Sequence, residues 1–117
     1  LFKPVYEQRS GYLPYSDSAT HAFETALWLK PNFSYVNHQV GHYWVFVWKK
    51  LGRDTEERAA VLLKRALELA PDRWNDILET ALKYEKSPAF LEKVVPETEF
   101  FKKLFAQFLA SKGLVKG

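Results

Sequence analysis

The sequence predicts an all-α protein, a short superhelix of about six helices closed by a C-terminal capping helix. Three observations predict it. Apolar residues recur at helical spacing in one segment after another, each bounded by proline or glycine. No segment alternates like a strand for long. One helix template occurs twice. With 117 residues, of which 47% are hydrophobic and 16% aromatic, the chain suits a single core-forming domain and not a disordered one.

Residues 1–16, "LFKPVYEQRSGYLPYS", carry two prolines, a glycine and three tyrosines without helical period, and read as an extended lead-in. A single helical domain is expected over 17–117. Helix one is predicted over about 17–29: Ser16 or Asp17 can cap, Ala19, Ala22, Phe23, Ala26 and Leu27 share one face, and Pro31 forbids continuation. Helix two is predicted over about 33–51, with Val40, Tyr43, Trp44, Val47 and Leu51 as its apolar stripe and Gly52 as its C-terminal stop. Inside it, "YWVFVW" has the β-branched and aromatic content of a buried strand. The stripe runs in phase through it, which favours the helix.

Asp54 or Thr55 can cap helix three, about 55–70, and Glu56 and Glu57 complement the dipole of its first turn. Ala59, Leu62, Leu63, Ala66, Leu67 and Ala70 form its stripe before Pro71. Asp72 can cap helix four, about 73–84. Ser87-Pro88 is a cap followed by a first-turn proline, opening a short helix over about 88–94. The last helix, about 97–112, has Glu97 and Glu99 at its start, a wide face of Phe100, Phe101, Leu104, Phe105, Phe108 and Leu109, and Gly113 at its end.

The repeat is gapless. "ATHAFETALWLKP" (Ala19 to Pro31) matches "AAVLLKRALELAP" (Ala59 to Pro71) at an offset of 40 residues, pairing Phe23 with Leu63, Ala26 with Ala66 and Leu27 with Leu67. Small residues let a helix lie close to its neighbour while the large residue between them fills the gap. Ala26 and Ala66 are therefore both expected to point inward, nested against helix two.

The pattern Ala-x3-Phe/Leu-x2-Ala-x4-Pro resembles the second helix of a tetratricopeptide (TPR) repeat with its closing proline. "LGRDTEERAAVLLKRALELAP" resembles that family's inter-helix turn and second helix. "YVNHQVGHYW" resembles its first helix, with Val40-Gly41 where the family has Leu-Gly and Trp44 at its aromatic position. The likeness covers Ala19 to Asp72, and residues 73–113 have the generic character of closing helices. Helix two and the turn after it are longer than the family's, which stretches a period of about 34 residues to 40. The tail, "DRWNDILETALKYEKSPAFLEKVVPETEFFKKLFAQFLASKG", resembles the closing segment of TPR regions in bacterial envelope proteins, some fused to O-antigen-ligase-like membrane proteins. The resemblance implies a non-enzymatic scaffold that binds a protein or peptide. Its alternative implication is an accessory domain of a membrane glycan-assembly protein, at a periplasmic or membrane-associated face in preference to the cytoplasm. A chain without Met that begins at Leu1 reads as a fragment or processed form of something longer.

Several function classes lose support. The chain has no cysteine, so disulfides, thiol catalysis and cysteine-bound zinc are excluded. A net charge of +3 without an arginine-rich stripe gives no reason to expect nucleic acid, and no run approaches the roughly 18 apolar residues of a membrane span. His38 and His42 in "NHQVGHYW" share a helix face as zinc ligands do, but Gln39 stands where a zinc protease has its glutamate base. No catalytic residue, metal or cofactor is expected.

What the histidines do fit is a stripe. In the register set by Val40-Gly41, Tyr35, His38, His42, Val45 and Lys49 lie beside the core stripe. In the fold the resemblance implies, that stripe lines the concave surface, where it would meet an acidic or polar peptide. The competing expectation is that the lead-in or the tail covers it. On the last helix, Phe101 and Phe105 are expected to be buried within the chain, with a homodimer or partner contact as the alternative.

Overall fold

A computed structural model describes residues 17–84 and 88–114. The lead-in at 1–16 and the cap expected of Ser87 lie outside them. The protein is all-α, with α1 (Asp17–Leu29), α2 (Ser34–Leu51), α3 (Glu56–Leu69), α4 (Trp74–Tyr84), α5 (Pro88–Val94) and α6 (Glu99–Ser111). Among the described residues there is no strand, and "YWVFVW" lies within α2.

The ends follow from local chemistry. Gly52 takes the left-handed conformation, φ 71°, and the N–H groups of Gly52 and Arg53 bond back to the carbonyls of Trp48 and Val47, closing α2. Thr55 stands at the N-cap of α3 but makes no side-chain capping bond. Its hydroxyl donates to the Trp44 carbonyl at 2.9 Å, pinning the start of α3 to α2. Pro71–Arg73 forms a 3-10 turn, so Asp72 sits inside that turn and α4 starts at Trp74. The last helix starts later than predicted. Thr98 is its N-cap, accepting from the Phe101 N–H at 3.2 Å, which leaves Glu97 outside.

The helices stack in alternating layers. Ser34 at the start of α2 donates to the Ala66 carbonyl near the end of α3, while Thr55 at the start of α3 reaches Trp44 late in α2. These two helices therefore run antiparallel, and they form the principal pair of the fold. α1 runs parallel to α3, tied by Arg58–Glu24 and Arg65–Asn32. α4 runs parallel to α2, tied by Arg73–Ser34 and His38–Thr80. Gly41 lets α2 and α3 approach closely: a Cβ there would stand 2.9 Å from Leu63 side-chain carbons and 3.3 Å from the Leu62 Cβ. The core between the layers is Val45, Leu63, Ala66, Leu67, Ile77, Leu78, Phe90, Leu91 and Val94, completed by Phe101 and Phe108 of α6. At about 1.5–3 kcal/mol for each large side chain withdrawn from water, this interior dominates stability.

The two copies of the helix template do not share one environment. Ala66 is wholly buried, whereas Ala26, expected to match it, is exposed together with Ala22. The face of α3 that carries Ala66 lies under α2. The corresponding face of α1 has no preceding helix against it among the described residues.

Candidate binding face on helices α2 and α4

The predicted stripe Tyr35, His38, His42, Val45 and Lys49 is divided by its burial. Tyr35 is 62% exposed, Lys49 is exposed and His42 is half-buried. Val45 is fully buried and belongs to the core, so it lines no surface. His38 is only 6% exposed. Both departures are tertiary: α2 is packed by α1, α3 and α4 together, so His38 meets Thr80 of α4 and Val45 joins the core. Tyr35 and Lys49 also stand about 21 Å apart along the helix, at about 1.5 Å per residue, and do not form one site.

What the fold brings together is a polar cluster at the start of α2, built around a residue outside the predicted stripe. Arg73, at the end of the 3-10 turn, donates through Nη1 to Ser34 Oγ at 3.0 Å and through Nη2 to His38 Nδ1 at 2.9 Å. Its guanidinium also lies over the Tyr35 ring, 5.7 Å from the centroid. Ser34 passes its own proton to the Ala66 carbonyl. Guanidinium can only donate, so His38 Nδ1 accepts and the imidazole proton sits on Nε2. Nε2 donates to Thr80 Oγ1 at 2.6 Å, and Thr80 donates to the Asp76 carbonyl at 3.1 Å. The proton positions thus run in one direction from the 3-10 turn, through α2, to α4.

This arrangement requires a neutral imidazole. Burial first, then the positive charge of Arg73 and of His42, lowers the His38 pKa to about 4, against the smaller opposing influence of Asp76. Burial, followed by Lys83, lowers that of His42 as well. With both ring nitrogens of His38 engaged, the His38–His42 pair is not free to ligate a metal. Among the described residues no group of three or more metal-ligating side chains is assembled, and no helix is long and apolar enough to cross a membrane.

Electrostatically the cluster is cationic on balance, with the Asp76 carboxylate near enough to be felt at His38. The partners of Arg73 are Ser34, His38 and Tyr35, all neutral, and among the described residues no carboxylate forms an ion pair with it. Ion pairs elsewhere do find their acids: Arg58 meets Glu24, Lys93 meets Glu56 and Glu57, and Lys112 meets Glu79. Arg73 is half-buried and held by its two hydrogen bonds to α2. Periodicity could not have singled it out, because it belongs to neither helix stripe. The one signal was its place two residues after Pro71, in the turn that delivers the chain to α4. On the last helix, Phe101 is buried and Phe105 half-buried, while Phe100 is 57% exposed.

Comparison with family models, with curated proteins and with solved structures finds no match to this chain.

Proposed function

We propose that the protein is a non-enzymatic, TPR-like scaffold that binds an acidic or polar peptide segment of a protein partner across the α2–α4 face. The observation that carries this reading is the Arg73 guanidinium. It is held by two neutral hydrogen-bonding partners and an aromatic ring, and among the described residues no carboxylate forms an ion pair with it. A fixed fork of donors suits a carboxylate, because little side-chain entropy remains to be lost on binding. Tyr35 offers an exposed aromatic surface beside it, and His42 adds a hydrogen-bonding edge. The parallel stacking of α1 with α3 and of α2 with α4, and the 40-residue template, support the repeat-scaffold part of the reading.

The test is fluorescence anisotropy with labelled acidic, neutral and basic peptides of equal length, against wild type, Arg73→Gln, Arg73→Lys and Tyr35→Ala. We expect the acidic set to bind, with affinity falling as salt screens the attraction. Arg73→Gln is expected to weaken binding about tenfold, with partial recovery in Arg73→Lys. Equal binding of basic and acidic peptides, or an Arg73→Gln protein that binds as wild type, contradicts the reading.

A further inference from the structure

We propose that the α1–α2 turn, through Trp28, Leu29 and Phe33 with Lys30 among them, is an anchor that docks the protein on the surface of an anionic lipid bilayer. The inference concerns a different surface from the α2–α4 face and does not depend on it.

Three of the large apolar side chains left to water among the described residues are gathered at one turn. Trp28 is 78% exposed, Leu29 61% and Phe33 53%, and all three stand between the last turn of α1 and the N-cap of α2. The turn lies at the end of α1 remote from Asp17, about 18 Å along the helix at about 1.5 Å per residue. Local structure does not ask for these side chains. At the 40-residue offset Trp28 corresponds to Glu68, so the second copy of the template ends its helix with a charged residue at the same exposed position. Phe33 is the N-cap of α2, with φ −97° and ψ 123° and no side-chain capping bond. Serine, threonine, aspartate or asparagine suits that position. An exposed phenylalanine there breaks a local rule and gains little burial, which is where a functional reason is to be sought.

The chemistry of the turn selects a lipid surface. Tryptophan is the side chain that settles at headgroup level, with its ring toward the hydrocarbon and its N–H toward water. Leucine and phenylalanine supply the apolar area with which interfacial binding scales. The charge is complementary to anionic headgroups. From Thr25 to Arg53 the chain has no aspartate or glutamate. Lys30 Nζ lies 4.8 Å from the centroid of the Phe33 ring, so ammonium and ring are presented together. An ammonium that reaches headgroup phosphates above an inserted ring needs that pairing. Arg65 of α3 donates to Asn32 Oδ1 at 2.7 Å, which brings a second cation to the turn. The acids on this edge are Glu68 and Asp72, at the end of α3 that Ser34 ties to the start of α2. They temper the attraction, and the small area of a single turn makes the docking reversible.

The test is co-flotation of the full chain with phosphatidylcholine vesicles made with and without phosphatidylglycerol. Wild type is expected to float with the anionic vesicles and to be released by salt. Phe33→Ser should weaken partitioning about tenfold, while its urea midpoint stays at or above that of wild type because serine is the better cap. Lys30→Gln should weaken partitioning about fivefold, and Trp28→Glu, which installs the residue of the second template copy, should abolish it. Absence of flotation at millimolar lipid, equal flotation on the neutral vesicles, or turn variants that float as wild type overturn the proposal. So does a loss of flotation confined to Arg73→Gln, which would give the membrane contact to the α2–α4 face. A dimer in solution that Phe33→Ser returns to monomer also overturns it, by giving the turn to a second copy.

Discussion

Acidification provides a direct probe of the Arg73–His38–Thr80 relay. The imidazole is neutral in the fold, and its folded pKa of about 4 lies below the ordinary 6.5. As pH falls, the unfolded chain takes up the proton first, so stability is complete above about pH 6.5 and is lost progressively down to about pH 4. At about 1.4 kcal/mol for each pH step, the gap sets a ceiling of about 3 kcal/mol. Solvent reaches the rim of the cluster through half-exposed Arg73 and Thr80, and screening reduces the expected loss to about 1–2 kcal/mol. The assay is urea unfolding of wild type and His38→Gln at half-unit steps from pH 7.5 to 4.5. Carboxylates and His42 titrate in both proteins, so the difference between the two curves reports His38 together with its coupling to His42 and Asp76. Wild type should lose about 1–2 kcal/mol more than the variant over that range. Parallel curves, or a wild type that gains on the variant as pH falls, would refute the neutral, doubly hydrogen-bonded imidazole.

Three further outcomes test the packing. Gly41→Leu within the chain should cost about 3 kcal/mol or unfold it, since the new side chain meets Leu62 and Leu63 at the closest inter-helix approach; a denaturation midpoint equal to wild type contradicts that approach. Ala66→Trp should likewise disrupt the α2–α3 pair by overpacking a fully buried position, while Ala26→Trp should leave the melting temperature nearly unchanged. Equal effects of the two would mean that the template's two copies share an environment after all. Thr98→Ala should lower stability by about 1 kcal/mol through loss of the α6 cap, measured by the same urea titration.

Much of the fold was legible because helix ends are local chemistry. Pro31, Gly52, Pro71 and Gly113 end segments for reasons contained in the residue itself, and the predicted bounds of α1, α2 and α5 fall within a residue of those found. The misses are tertiary. The burial of His38 depends on α4 lying parallel to α2, and that of Val45 on the core which several helices close around it, and no periodicity within α2 reports either. Ala26 carries the same local pattern as Ala66, but among the described residues no helix covers it as α2 covers Ala66. Glu97 falls outside α6 because Thr98 competes for the cap position. The candidate site was only half legible. Of the predicted stripe, Tyr35 is exposed and His42 half-buried, and Arg73, whose guanidinium lies over Tyr35, comes from a turn.

The central claim, that this face receives an acidic peptide at Arg73, is tested most directly by ¹⁵N-labelled chemical-shift mapping of the full chain. The titrant is an acidic peptide selected by anisotropy. The account predicts the largest changes at Tyr35, His42 and the Arg73 side-chain N–H groups, with α6 undisturbed. Changes centred on α6 or on α1, with Arg73 silent, would contradict it.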